Sequence, residues 1–414
     1  MLFRFIPLRR RRNRGVGEKF YDLLRGDCQA QRPAWKRRLH LRYRLDLNPH
    51  VSYFAKADRT DEKRKGNVVN AMPIAEENDQ CAVRVFDTPL PNCYYERRYL
   101  DWSVRNIIAV SATDQSGVNF VATRNLGTGE IYNVCSFEDD EVTTIAFDQS
   151  GYHLAIGTQL GWIQVYNLQN EEQICAARIT VEGVRALSWW GSRLAVAGDG
   201  GQVYMIDVGR GTPIAWLRVA GDYAQNSIDF TPYSPNLLAA GSNGGHLSLL
   251  DFRTSKFAWS KCVAPGGNVG DVKCSPHRNK EIAAVTGLGD SSVYVCSLDS
   301  GRALRQKAHS TQLTRVQWSA NTYELALAEG YGEGNITICD AKTLRANKKL
   351  TPRGGRVLGL VLSPDGRQLA TTTEDERTRL WDVFSERKKA RDASYETPRP
   401  SFARRMYESR MYTS

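Results

Sequence analysis

No run of about 18 apolar residues occurs, the minimum for a bilayer-spanning helix. The apolar start of the chain is broken by Arg4 and Pro7 and is too short for a secretory core. The expected location is therefore cytoplasm and nucleus, with no membrane contact. Cysteine pairs are missing as well: the nine cysteines (28, 81, 93, 135, 175, 262, 274, 296 and 339) are odd in number and scattered. No CxxC pair and no histidine at ligand spacing accompanies them, which excludes a zinc tetrahedron. They read as reduced thiols packed as small hydrophobes. The six histidines stand singly, and there is no GxxxxGK(S/T), HExxH or GxSxG stretch. Glycine-rich pieces such as "GDGG" at 198–201 and "GYGEG" at 330–334 read as turns. The expectation is a protein that is not an enzyme, with no cofactor and no metal.

What is present is an ordinary globular composition, 41% hydrophobic and 10% aromatic, with the charge unevenly spread. Residues 1–65 carry 19 Lys+Arg against 7 Asp+Glu, residues 385–414 carry 8 against 4, and the stretch between sums to −5. A mildly acidic body thus lies between two basic tails. Because the basic charge is not organised on the body, a nucleic-acid-binding domain is disfavoured, although a basic arm at 1–65 stands as a third hypothesis.

From about residue 82 short apolar segments alternate with glycine turns, and a line ending recurs: "VNFVAT", "IQVYNL", "VYMIDV", "LSLLDF", "VYVCSL", "ITICDA", "TRLWDV". The marks at Ala122, Asn167, Asp207, Asp251, Ser297, Asp340 and Asp382 are 45, 40, 44, 46, 43 and 42 residues apart. That period predicts an all-β fold, a seven-bladed WD-repeat β-propeller over residues 81–384. A single blade cannot bury its two apolar faces, so stacking around a ring creates the core. Trp162, Trp189, Trp318 and Trp381 are expected in that packing. Residues 1–80 lack sustained periodicity and, like the basic tail 385–414, are expected to be mostly disordered, with one or two helical turns in "GEKFYDLLRG" at 17–26.

"FRFIPLR" at 3–9 resembles the C-box of the Fizzy-type co-activators of the anaphase-promoting complex, with Phe3 in place of that motif's Asp. "YLDWSVRNIIAVSA" (99–112), "HLAIGTQLGWIQVYNLQ" (153–169), "GYGEGNITI" (330–338) and "RVLGLVLSPDGRQLATTTEDERTRLWDVFS" (356–385) resemble the same family in order. The departures are similar to those of the insect cortex branch, linked to meiosis. The resemblance implies a subunit that recruits degron-bearing substrates such as cyclins to the ligase and activates it. It implies ligase docking through Arg4, Phe5, Ile6, Pro7 and Arg9, an extended plug because Pro7 disfavours helix at Ile6. It implies a destruction-box groove between first and last blades, where Asp101 and Glu376 converge on one arginine. The alternative for those two is to cap blade turns, the role expected of Asp375. It further implies a Lys-Glu-Asn pocket at Asn243, Gln312 and Arg356, weakened because family positions fall on Gly245, Leu288 and Ser291. The chain finishes Met411-Tyr412-Thr413-Ser414 where family members finish Ile-Arg, which puts the tail dock in doubt. The competing reading is a propeller scaffold that has lost ligase activation.

Overall fold

The computed structural model describes residues 82–88, 97–113, 118–180, 182–210, 212–218, 223–287, 290–330 and 334–384. Seven four-stranded antiparallel sheets follow one another around a ring. Strand β1 (Ala82–Asp87) is held back for the last sheet, and blade 1 is β2 (Leu100–Trp102), β3 (Ile107–Thr113), β4 (Asn119–Asn125) and β5 (Ile131–Phe137). Blade 2 is β6 (Val142–Phe147), β7 (His153–Thr158), β8 (Trp162–Asn167) and β9 (Glu172–Arg178). Blade 3 is β10 (Val184–Trp190), β11 (Arg193–Gly198), β12 (Gln202–Asp207) and β13 (Thr212–Arg218). Blade 4 is β14 (Gln225–Phe230), β15 (Leu237–Ser242), β16 (His246–Asp251) and β17 (Lys256–Cys262). Blade 5 is β18 (Val269–Cys274), β19 (Glu281–Thr286), β20 (Ser292–Ser297) and β21 (Ala303–Ala308). Blade 6 is β22 (Leu313–Trp318), β23 (Glu324–Glu329), β24 (Ile336–Asp340) and β25 (Ala346–Leu350). Blade 7 is β26 (Val357–Leu362), β27 (Gln368–Thr373) and β28 (Arg377–Asp382), completed by β1, which pairs with β28 and so closes the ring.

The repeat was legible, but one mark was misplaced. Six marks end the third strand of their blade, whereas Ala122 lies inside β4; the residue that matches them is Asn125. Its side-chain oxygen accepts the N–H groups of Gly127 (2.9 Å) and Thr128 (3.2 Å), as Asp340 accepts those of Lys342 and Thr343 (both 2.8 Å). An Asn does the turn-closing work of the Asp, as Asn167 does in blade 2 by accepting the N–H of Gln169 (2.9 Å).

The core lies between blades. Blades 2 and 3 share Val165, Cys175, Leu187, Trp189 and Tyr204, and blades 5 and 6 share Val285, Val295, Trp318 and Leu327. Burying apolar area at roughly 25 cal/mol per Å² makes these seams the main source of stability. Trp189, Trp318 and Trp381 are buried as expected. Trp162 is only half-buried at the start of β8, and Trp102 and Trp259 are buried in the core instead. Three of the buried indoles also tie neighbouring blades, Trp189 Nε1 donating to the carbonyl of Ala146 (3.0 Å), Trp259 Nε1 to that of Leu298 (2.7 Å) and Trp318 Nε1 to that of Lys273 (2.9 Å). Cys175, Cys274, Cys296 and Cys339 are buried free thiols, while Cys262 is exposed.

Polar staples reinforce the innermost strands. Asp101 Oδ2 accepts the N–H of Phe147 (2.7 Å), Ser188 Oγ that of Phe230 (3.1 Å), and Asp229 Oδ2 that of Cys274 (2.8 Å). Each is the same step, from a side chain near the end of one inner strand to the N–H of the last residue of the next. One rung higher, Ser227 Oγ accepts from Val272 (3.0 Å) and Asp271 Oδ2 from Val316 (3.1 Å). These inner strands have no further ladder partner toward the axis, and the staples satisfy N–H groups that would otherwise face the channel.

Candidate functional site

Strand direction decides which candidates can meet. Each inner strand begins on one face of the disc and ends on the other, at the turn into the second strand; the turn between second and third strands returns to the first face. Asp101 stands next to the turn at 103–106, whereas Glu376 stands in the turn between β27 and β28, beside the start of β26. Strands rise about 3.3 Å per residue, so the two carboxylates sit on opposite faces.

The expectation that Asp101 and Glu376 converge on one guanidinium is corrected by this geometry. Asp101 is occupied on both oxygens, Oδ1 by the N–H of Trp102 (2.9 Å) and Oδ2 by that of Phe147. Burial raises its pKa above the usual carboxylate range, and the two N–H donors offset part of that rise. Its role is to bind blade 1 to blade 2, the capping alternative in an inter-blade form. Glu376 is exposed and left-handed (φ 60°), with its backbone engaged: the N–H of Thr88 donates to its carbonyl oxygen at 2.6 Å. Asp375 caps its turn as expected, receiving Arg379 through two bonds of 3.1 and 2.6 Å and the hydroxyl of Thr373.

Asn243, Gln312 and Arg356 do share a face, at the starts of inner strands and the matching turns. Asn243 is exposed in the turn between β15 and β16. Arg356 Nε pairs with Glu374 Oε1 at 2.5 Å, so its cation is partly neutralised before any ligand arrives. Gln312 is 7% exposed, and neither its amide nitrogen nor its carbonyl oxygen has a hydrogen-bond partner. Gly287 lies against it: a Cβ there would stand 2.9 Å from Gln312 Nε2 and 2.7 Å from Asn268 Oδ1. A buried amide left unsatisfied costs roughly 1–3 kcal/mol, so this face holds unmet bonding capacity. Gly245 (φ 75°) and Ser291 (φ 48°) occupy tight turns beside it. Leu288, the docking stretch Arg4, Phe5, Ile6, Pro7 and Arg9, and the tail 385–414 lie outside the described residues.

Sequence reasoning missed the channel itself. Arg98, at the entry to blade 1, reaches across the axis to Ser227 Oγ (2.7 Å) and Asp271 Oδ1 (2.5 Å), in blades 4 and 5. Arg315 of blade 6 donates through Nε to the carbonyl of Leu358 (3.2 Å) and through Nη2 to that of Arg97. Burial would raise the Asp271 pKa, but Arg98 and Arg315 hold it below the ordinary value. Together with Asp101, Asp229, Lys273 and Gln317 these groups line a cavity of about 280 Å³. Cations and carboxylates balance there, so these groups brace the channel as a polar strut. No group of metal-ligating side chains occurs among the described residues.

Seven blades, a Trp-Asp ending at Trp381 and Asp382 with altered counterparts in the other blades, and polar inter-blade staples define a WD-repeat β-propeller, and the family model described as "WD domain, G-beta repeat" matches residues 345–382. The homologues of this chain are Fizzy-related proteins and activators of the anaphase-promoting complex. It is 26% identical over 302 residues to the B-type cell cycle switch protein ccs52A of Medicago truncatula, covering 73% of this chain and 62% of that protein. It is 26% identical over 308 residues to the APC/C activator protein CDH1 of Saccharomyces cerevisiae (74% and 52% covered). It is 24% identical over 308 residues to the meiotic fizzy-related protein 1 of Schizosaccharomyces pombe (74% and 71%). The matched span thus covers about half to seven-tenths of these relatives. A chain in the crystal structure of a mitotic checkpoint complex has the same fold, with a TM-score of 0.69 at 22% identity over 79% of this chain and 98% of that one.

Proposed function

We propose that this chain is a substrate-recognition and activating subunit of the anaphase-promoting complex ubiquitin ligase, acting in mitotic or meiotic progression in cytoplasm and nucleus. One observation carries the reading: a C-box-like "FRFIPLR" precedes a propeller whose homologues are activators of that ligase. The chain performs no chemistry of its own; its contribution is to hold a degron-bearing substrate, cyclins among them, near the ligase. Arg4 and Arg9 reach acidic sites on the ligase while Ile6 fills an apolar one. A destruction box lies between blades 7 and 1, with its arginine on Glu376, since Asp101 is committed to the blade 1–blade 2 staple. Asn243, Gln312 and Arg356 receive a Lys-Glu-Asn type degron weakly, because Arg356 is already paired with Glu374. Several weak contacts on one tethered substrate add up to useful avidity.

The test is co-purification with the ligase, wild type against Arg4→Ala. The expected result is loss of most bound ligase; equal recovery with the substitution would remove the docking role.

A further inference from the structure

The outer edges of the blades are not alike. Outermost strands present unpaired N–H and C=O groups, and proteins guard such edges with charge, lysine above all. Strand β17 carries exposed Lys256 and Lys261, β21 exposed Lys307, and β25 exposed Lys348 and Lys349. Strand β13 carries Ile214 and Trp216 instead, 45% and 58% exposed. The ladder to β12 shifts register between Pro213 and Ala215, so Ile214 is the extra residue of a bulge, and Trp216 follows it in regular pairing. Trp216 stands opposite Tyr204, part of the seam between blades 2 and 3, whereas Leu217 packs into the seam between blades 3 and 4. The indole therefore opens onto the outer groove between blades 2 and 3. Pro213 has no N–H, so the stretch free to pair is Ile214–Leu217.

The chain holds a segment that fits this edge. Residues 39–47, "LHLRYRLDL", alternate strictly: Leu39, Leu41, Tyr43, Leu45 and Leu47 on one side, His40, Arg42, Arg44 and Asp46 on the other. This period of two is the mark of a half-buried strand, and the segment lies outside the described residues. Lys36, Arg37 and Arg38 precede it. Charge selects among the edges. Residues 97–255 contain no lysine and sum to −6, while residues 256–384 sum to +5. Exposed Glu171 and Glu172 open β9 on the blade beside β13, and Asp207 leads into β13 itself. The lysine-bearing edges would repel the cationic segment. Reach is sufficient: 34 residues separate Leu47 from Ala82, where β1 starts on the outer edge of blade 7. Extended at about 3.3 Å per residue they cover on the order of 110 Å, several times the width of a four-stranded blade.

We propose that residues 39–47 add as a fifth strand to the outer edge of blade 3, laying Leu41, Tyr43 and Leu45 over Ile214 and Trp216. The docked strand anchors the basic N-terminal region to the acidic half of the ring. It leaves 29 residues between Arg9 and Leu39 as the working tether of the docking stretch.

Hydrogen–deuterium exchange of the full chain, without ligase, tests this independently of the proposed function. The amides of residues 39–47 are expected to exchange more than tenfold slower than in a free peptide of that sequence. Trp216→Lys should abolish the protection, and so should the paired change Leu41→Asp and Tyr43→Asp, which alters no described residue. Added salt should weaken it. Free-peptide rates in the wild type, or protection unchanged by these variants, would overturn the proposal. Protection that vanishes on dilution would also overturn it, by giving the edge to a second copy.

Discussion

Blades 1–3 and blades 4–6 are built by the same rules and present opposite surfaces. Both halves use inner-strand staples, Asp101 and Ser188 in one and Asp229 and Asp271 in the other, and both bury a tryptophan whose indole bonds the neighbouring blade. Yet the first half has no lysine on its strands and an apolar edge at β13, while the second guards its edges with Lys256, Lys261, Lys307, Lys348 and Lys349. The difference teaches that the repeat constrains what faces the channel and the seams, and leaves the rim free to be divided between a guarded and an open half.

The largest expected effect falls on the strut that joins the halves. Arg98→Ala removes the cation that pairs directly with the buried carboxylate of Asp271, leaving Arg315 and Lys273 as its remaining positive neighbours, and breaking a buried pair of this kind costs about 3 kcal/mol. The loss should appear as a lower denaturation midpoint with an unchanged slope. The pH dependence follows from the depressed pKa of Asp271 in the folded state. Its contribution is fully present above the unfolded value of about 4 and fades as pH falls through the folded value. In Arg98→Ala the folded pKa of Asp271 should rise, so the loss of stability that this group contributes on acidification should shrink and the gap between variant and wild type should narrow as pH falls.

Next comes the contrast between the two candidate carboxylates. Asp101→Ala removes the acceptor of two backbone N–H groups and should cost about 2 kcal/mol. Glu376→Ala, at an exposed turn, should cost less than about 0.5 kcal/mol. Thermal unfolding of the two variants side by side checks the order. A smaller effect is expected from erasing the distinction between edges: Lys256→Val with Lys261→Val gives β17 an open rim like that of β13. The expected outcome is concentration-dependent association in sedimentation, with little change in melting temperature.

The fold was readable because its period is local in sequence: an apolar strand, a glycine turn and an Asp, Asn or Ser ending recur every forty-odd residues. In blade 1 the ending is Asn125, three residues beyond Ala122, and it closes its turn by the same chemistry. The site was less readable because it depends on distance and direction across the ring. Asp101 and Glu376 belong to neighbouring blades, as the closure of the ring requires, but strand direction places them on opposite faces. Arg98 was overlooked because its partners stand 129 and 173 residues away, a separation no repeat announces. Asn243, Gln312 and Arg356 were grouped by resemblance and do share a face. The salt bridge of Arg356 to Glu374 and the unsatisfied amide of Gln312 are facts of packing that no motif carries.

The central claim is that this propeller delivers destruction-box substrates to the ligase. Reconstituted ubiquitination of a cyclin, with purified ligase and this chain, measures it directly. The account predicts ubiquitination above that of the ligase alone, lost when the Arg-x-x-Leu of the substrate is removed and reduced about tenfold or more by Glu376→Ala, in line with loss of a charge-assisted pair. Ubiquitination no greater than that of the ligase alone, with the chain shown to be folded, would contradict it.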